Sequence, residues 1–236
     1  MNLSTRQGVA SLGGNIEDGS VNEAENFANM MTRSANLKLR VAAELSSQVI
    51  ATVDACEASL RAGGKLMFCG NGGSAGDSMH LATELLIRLR PHVERDSWPA
   101  LSLTFDPTTI LAAGNDYGFE RVFERPLRGL GRSGDVLFGI TTSGRSANVI
   151  AALRAAREMT IVTVGLLGGS GEPASQYCDH ALVVPDTETA RVQECHIALG
   201  HAVLELLEDR LMARPLTVHP ASLPEHQPPN GAVRSS

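Results

Sequence analysis

The sequence predicts an α/β fold, a single domain whose parallel sheet is covered by helices on both faces. Three observations carry that expectation. Short apolar runs alternate with stretches of helical period, the order that builds parallel sheets from strand–helix–strand units. Segments rich in glycine or hydroxyls follow three of the predicted strands, where ligands of such sheets sit. The chain has 236 residues, 43% hydrophobic and 19% charged, enough for a full-sized core in one domain.

The elements follow in order. Residues 1–21 are polar and glycine-rich and are expected to be a mobile extension. Val41, Leu45, Val49, Val53, Cys56 and Leu60 recur at helical steps and give an N-terminal helix one apolar face. Gly63-Gly64 ends that helix, and 65–69 follows as an apolar strand. Further strands are expected at 100–104, 135–140, 160–166 and 181–184, with helices at 76–89, 118–129, 146–157 and 187–212. From 214 to 236 the chain holds several prolines and few large apolar residues, and reads as a disordered tail. The domain is therefore 22–213, without internal repeats.

Composition excludes several function classes. A net charge of −6 with no basic stripe argues against nucleic acid, and 4% aromatic content leaves few rings for stacking bases. Cys56, Cys69, Cys178 and Cys195 are widely spaced and read as reduced thiols. No apolar run approaches the roughly 20 residues that cross a bilayer, and residues 1–14 lack the apolar stretch of a signal peptide. A cytoplasmic protein without membrane contact is expected.

Four segments could carry chemistry. Gly70–Gly76, between a strand and a helix, offers close backbone approach with Asn71 and Ser74 as polar groups. It matches neither nucleotide-loop pattern, and a plain tight turn is an equal reading. Thr141–Ser146 places four hydroxyls at a helix start, more than capping requires, and reads as a phosphate site. His80 and Glu84 stand four apart on one helix face, where a surface pair is the simpler reading and a metal or base site the sharper one. Gln193, Glu194, His196 and His201 lie on an otherwise apolar helix. Spacing leaves the choice of histidine open: Gln193 and His196 share a face, while Gln193 and His201 are about 12 Å apart along an ideal helix.

The segments 69–85 (CGNGGSAGDSMHLATEL), 112–123 (AAGNDYGFERVF), 132–150 (RSGDVLFGITTSGRSANVI) and 189–208 (TARVQECHIALGHAVLELLE) together resemble the phosphoheptose isomerases, a sugar-isomerase family. The likeness runs from about 37 to 212. It implies a five-stranded parallel sheet, a homotetramer with active sites between subunits, and one Zn²⁺ held by His80, Glu84, Gln193 and His201. It further implies substrate contacts from Asn71, Gly72, Gly73, Ser74, Glu84, Asn115, Asp116, Thr141, Thr142, Ser143, Ser146 and Gln193. The implied reaction interconverts D-sedoheptulose 7-phosphate and D-glycero-D-manno-heptose 7-phosphate through an enediol, with Glu84 as base on carbon and His201 as acid/base. Two positions depart from the family pattern. Arg145 replaces the usual asparagine, and Ile87 stands where glycine usually precedes the arginine at 88.

Other functions carry the same fold. A related protein binds a bacterial replication initiator, sugar-phosphate sensors exist, and another sugar phosphate is a possible substrate. The acid/base and metal set favours the enzyme, since an interaction protein needs none of it.

Overall fold

The computed structural model of the chain describes residues 22–104 and 106–216. The expected extension at 1–21 and the tail from 217 onward lie outside them. Helix α1 (Glu23–Arg61) begins well before Val41. Asn22 caps it, accepting from the Glu25 N–H at 3.2 Å, and Glu23 and Glu25 sit at its positive end. Its first turns leave Phe27, Met30 and Met31 exposed, so the core-facing period begins only near Leu37. Gly63 at φ 82° then turns the chain into the sheet.

Strand β1 (Leu66–Gly70) leads into α2 (Gly73–Leu86), and β2 (Ala100–Ser102) into α3 (Pro107–Tyr117). The helix expected at 118–129 is instead a 3-10 turn at Phe119–Arg121 followed by α4 (Glu124–Leu130). Strand β3 (Val136–Thr141) precedes α5 (Ala147–Glu158), and β4 (Val162–Gly168) and β5 (His180–Val184) lead to α6 (Thr189–Ala213). Helix α3 is a correction to the sequence reading. Asp106 caps it, with Pro107 in its first turn, but it buries only Ala113 and so shows no apolar period.

The five strands form one parallel sheet in the order β2-β1-β3-β4-β5. Alternate side chains enter opposite cores, as the strand period dictates. Leu66, Phe68, Val136, Phe138, Ile140, Val164 and Leu166 join the core under α1, α2 and α6. Met67, Cys69, Leu137 and Leu167 join the core under α3, α4 and α5. Phe68 and Phe138 stack with centroids 4.9 Å apart, each such burial contributing about 1.5–3 kcal/mol. From β1 the chain moves one way to β2, then crosses back to β3. That reversal splays the loops after β1 and β3 apart and opens a crevice at the carboxyl edge. Among the described residues, no helix is long and apolar enough to cross a membrane.

Candidate active site

Two loops face one another at the reversal point. After β1, Gly72 adopts φ 55° and caps α2 without a side-chain bond, so the α2 N–H groups meet no side chain there. A Cβ on Gly70 would stand 2.7 Å from Ser74, which packs the turn tightly. After β3, Thr141 Oγ1 lies 2.9 Å from Ser146 Oγ and 3.4 Å from Ser143 Oγ. The Arg145 N–H donates to Ser143 Oγ at 3.2 Å. Ser146 is the α5 cap residue, yet its hydroxyl makes no capping bond. Gly144 at φ 67° lets the loop press on Gly171, where a Cβ would come within 2.7 Å of backbone. Asn71 and Asn148 exchange two amide hydrogen bonds of 2.8 Å and tie the loops together. Hydroxyls and positive helix ends therefore converge on one place, the chemistry of an anion site.

Helices α2 and α6 bring a second set together. His80 Nε2 lies 3.0 Å from Glu84 Oε1 and 3.0 Å from His201 Nε2, and His201 Nε2 lies 3.6 Å from the same Glu84 oxygen. Burial pushes the Glu84 carboxyl above its usual range, and His201 and His80 pull it partly back. Residues 121 positions apart in sequence thus share one cluster.

The SIS domain profile matches residues 30–168. A phosphoheptose isomerase of Chlorobaculum parvum is 46% identical over 182 residues, 77% of this chain and 87% of that protein. The chain belongs to the phosphoheptose isomerase family of SIS-domain enzymes. The solved phosphoheptose isomerase of Neisseria gonorrhoeae superposes with TM-score 0.74 at 37% identity, covering 79% of this chain and 99% of that one. That of Francisella tularensis gives 0.76 at 31% identity, covering 80% and 100%.

The donor set suits a zinc ion. Ligand atoms about 2.0–2.1 Å from a tetrahedral ion stand roughly 3.3–3.4 Å apart, and the three separations of 3.0, 3.0 and 3.6 Å bracket that. His80, Glu84 and His201 offer two imidazole nitrogens and a carboxylate oxygen. Glu84 Oε2 is buried without a hydrogen-bond partner, a costly state that a cation beside the carboxylate would relieve.

His201, and not His196, is the α6 histidine that lies with His80 and Glu84. His196 is fully buried with no partner for either ring nitrogen, and burial pushes it down to about 4, opposed by the nearby Leu167 backbone. Gln193 lies against Gly73, and its Nε2 donates to Asp77 Oδ1 at 3.5 Å. Asp77 is a residue that sequence reading missed. It is buried, its carboxyl is raised by desolvation, and one oxygen has no partner. The spacing Asp77, His80, Glu84 places it on the same helix face, which was the available signal. Asn115 and Asp116 are not brought to this cluster. Both are exposed in the last turn of α3, on a helix rather than a loop, and Asn115 donates to Asp116 at 2.8 Å.

Proposed function

We propose that the chain interconverts D-sedoheptulose 7-phosphate and D-glycero-D-manno-heptose 7-phosphate, supplying heptose for nucleotide-linked sugars. The observation that carries this reading is the joining of Glu84, His80 and His201, on two different helices, in a fold that also carries a hydroxyl-rich loop after β3. The sugar's phosphate is held by Thr141, Thr142, Ser143 and Ser146 with the positive end of α5. Asn71, Gly72, Gly73 and Ser74 line the opposite wall and orient the chain of hydroxyls. Asn115 and Asp116 serve a substrate bound between subunits, which their exposure away from the cluster supports.

Ketose-to-aldose conversion removes a proton from C1 and places one on C2, while a second proton passes from O1 to O2. Glu84 carries the carbon proton, since desolvation raises its affinity for protons toward the working pH. His201 moves the oxygen proton through Nδ1, donating at O2 and then accepting at O1, since its Nε2 is turned toward His80 and Glu84. The enediol between the two steps stays fixed by its phosphate, so only protons travel. His80, Glu84, Gln193 and His201 would hold zinc, Gln193 by its amide oxygen because its nitrogen is engaged by Asp77. Zinc held there supplies a Lewis acid for the substrate's oxygens.

We further assign the chain to a homotetramer in the cytoplasm. Exposed apolar residues along α1 support the first, and four free cysteines the second. The test is an NMR time course with sedoheptulose 7-phosphate, run after chelation and again with zinc restored. The expected result is zinc-dependent appearance of the manno-heptose 7-phosphate. No conversion in either condition by folded protein would overturn the reading, and turnover of a pentose 5-phosphate instead would move the substrate.

A further inference from the structure

Helix α2 carries His80 and Glu84 and ends at Leu86 with no basic residue in its last turn. The final carbonyls of a helix lack intrahelical partners and must find others when buried. Here one side chain from outside the helix takes two of them. Arg95 donates from Nη2 to the Glu84 carbonyl at 2.7 Å and from Nη1 to the Leu85 carbonyl at 2.9 Å. Its Nε donates to Glu208 Oε1 at 2.7 Å, and its guanidinium lies 3.9 Å from the Trp98 ring centroid. The Arg95 side chain is 3% exposed and that of Glu208 1%. Arg90 holds the other Glu208 oxygen at 2.5 Å.

Glu208 lies on α6, two helical turns beyond His201 and on the same face. One planar, fully engaged cation therefore joins the backbone of Glu84 to the helix that carries His201. A buried ion pair is weak evidence for added stability, because desolvation offsets most of the attraction. What a rigid fork with four directed bonds, the fourth to the Asp96 carbonyl at 3.0 Å, does supply is fixed geometry.

We propose that Arg95, with Glu208, is a positioning residue that sets the spacing of α2 and α6, and hence the meeting of Glu84 and His80 with His201. The proposal rests on the functional reading above. It assigns Arg95 no contact with substrate or metal.

The test compares Arg95→Lys, which keeps the charge but not the fork, with Arg210→Ala. Arg210 bonds Asp54 at 2.5 Å and ties α6 to α1 instead, so it controls for loss of a helix-joining ion pair. Zinc affinity is read by competition with a chromogenic chelator, alongside kcat, KM and thermal melting. Arg95→Lys should lose about 10–100-fold in zinc affinity and in kcat, the range typical of residues that orient metal ligands, with KM within threefold. Arg210→Ala should leave zinc affinity and kcat within twofold even where it melts earlier. Should Arg95→Lys not fold, Glu208→Gln keeps the acceptor and the volume and should move both readouts the same way. A folded variant with zinc affinity and kcat within twofold of wild type overturns the clamp while leaving the functional reading intact. Wild type without turnover overturns the functional reading, and the chelator competition then decides the clamp alone. Absence of both turnover and zinc affinity in wild type overturns both.

Discussion

At the scale of single residues, the question is which groups the protein keeps in an uncomfortable state. Glu84 is one: its side chain is 13% exposed, its carboxyl raised by burial and drawn back by two imidazoles. Glu84→Gln preserves shape and removes the proton acceptor. We expect kcat to fall at least about 100-fold, with calorimetric affinity for the phosphorylated sugar within a few-fold because the anion loop is untouched. Near-normal turnover would remove Glu84 from the proton path. His196 is the other, with a folded value near 4 against 6.5 when free. Between those values the unfolded chain holds a proton that the folded chain does not. Stability therefore falls as pH drops through about 6.5 and levels off below about 4. From pH 8 to pH 5 this one group should cost about 2 kcal/mol. Urea unfolding at both pH values checks it: His196→Leu should lose that much less stability than wild type over the interval. Equal losses would mean His196 is not held neutral. Nothing in one-dimensional spacing separated His196 from His201, because the choice depends on which face of α6 meets α2. Asp77 escaped for the same reason, its role visible only against Gln193 on the other helix.

At the scale of elements, the strands were readable because a strand buried on both faces is a continuous apolar run bounded by turn residues. Met67, Phe68 and Cys69 in β1 show it, two facing one core and one the other. Helix α3 was not readable, since Pro107, two threonines and Gly114 look like a loop and its single buried residue carries no period. The long α6 was legible as a helix but not in its partners. The hydroxyls of the β3–α5 loop were legible, since they are local to one turn, while its packing on Gly171 was not. Ser143 and Ser146 make their described bonds within that turn, to Thr141 Oγ1 and from the Arg145 N–H, so they can be removed at little structural cost. The double substitution Ser143→Ala with Ser146→Ala should weaken binding of a sugar phosphate about 10–100-fold, two hydrogen bonds to a charged group at about 1.5–3 kcal/mol each with partial compensation. Thermal stability should stay within about 1 kcal/mol of wild type. Unchanged affinity by calorimetry would take the phosphate away from this loop.

For the whole molecule, the folded chain leaves more apolar surface than one subunit needs to expose. A groove of about 350 Å³ runs between α1 and α6, walled by Val41, Val49, Ile50, Ala198, Leu199 and Ala202. Phe27, Met30, Met31 and Leu39 continue along α1 as exposed apolar side chains. Isolated exposed leucines mean little, but exposed apolar residues on two adjacent helices are what an association through this face, as proposed above, would cover. One of these two helices also serves the candidate site, since α6 carries Gln193 and His201. Assembly through this face would brace α6 from behind while leaving its active face free. Ile50→Glu places a charge in the groove at an exposed helix position, where it costs the single chain little. Wild type should sediment near four times its 25.0 kDa, and Ile50→Glu as a smaller species. In the variant, kcat per chain should fall as protein is diluted, and rise again at high concentration where association returns. A variant that sediments as a monomer yet keeps concentration-independent, wild-type turnover would show that one subunit holds a complete site. The groove would then owe its exposure to something other than catalysis.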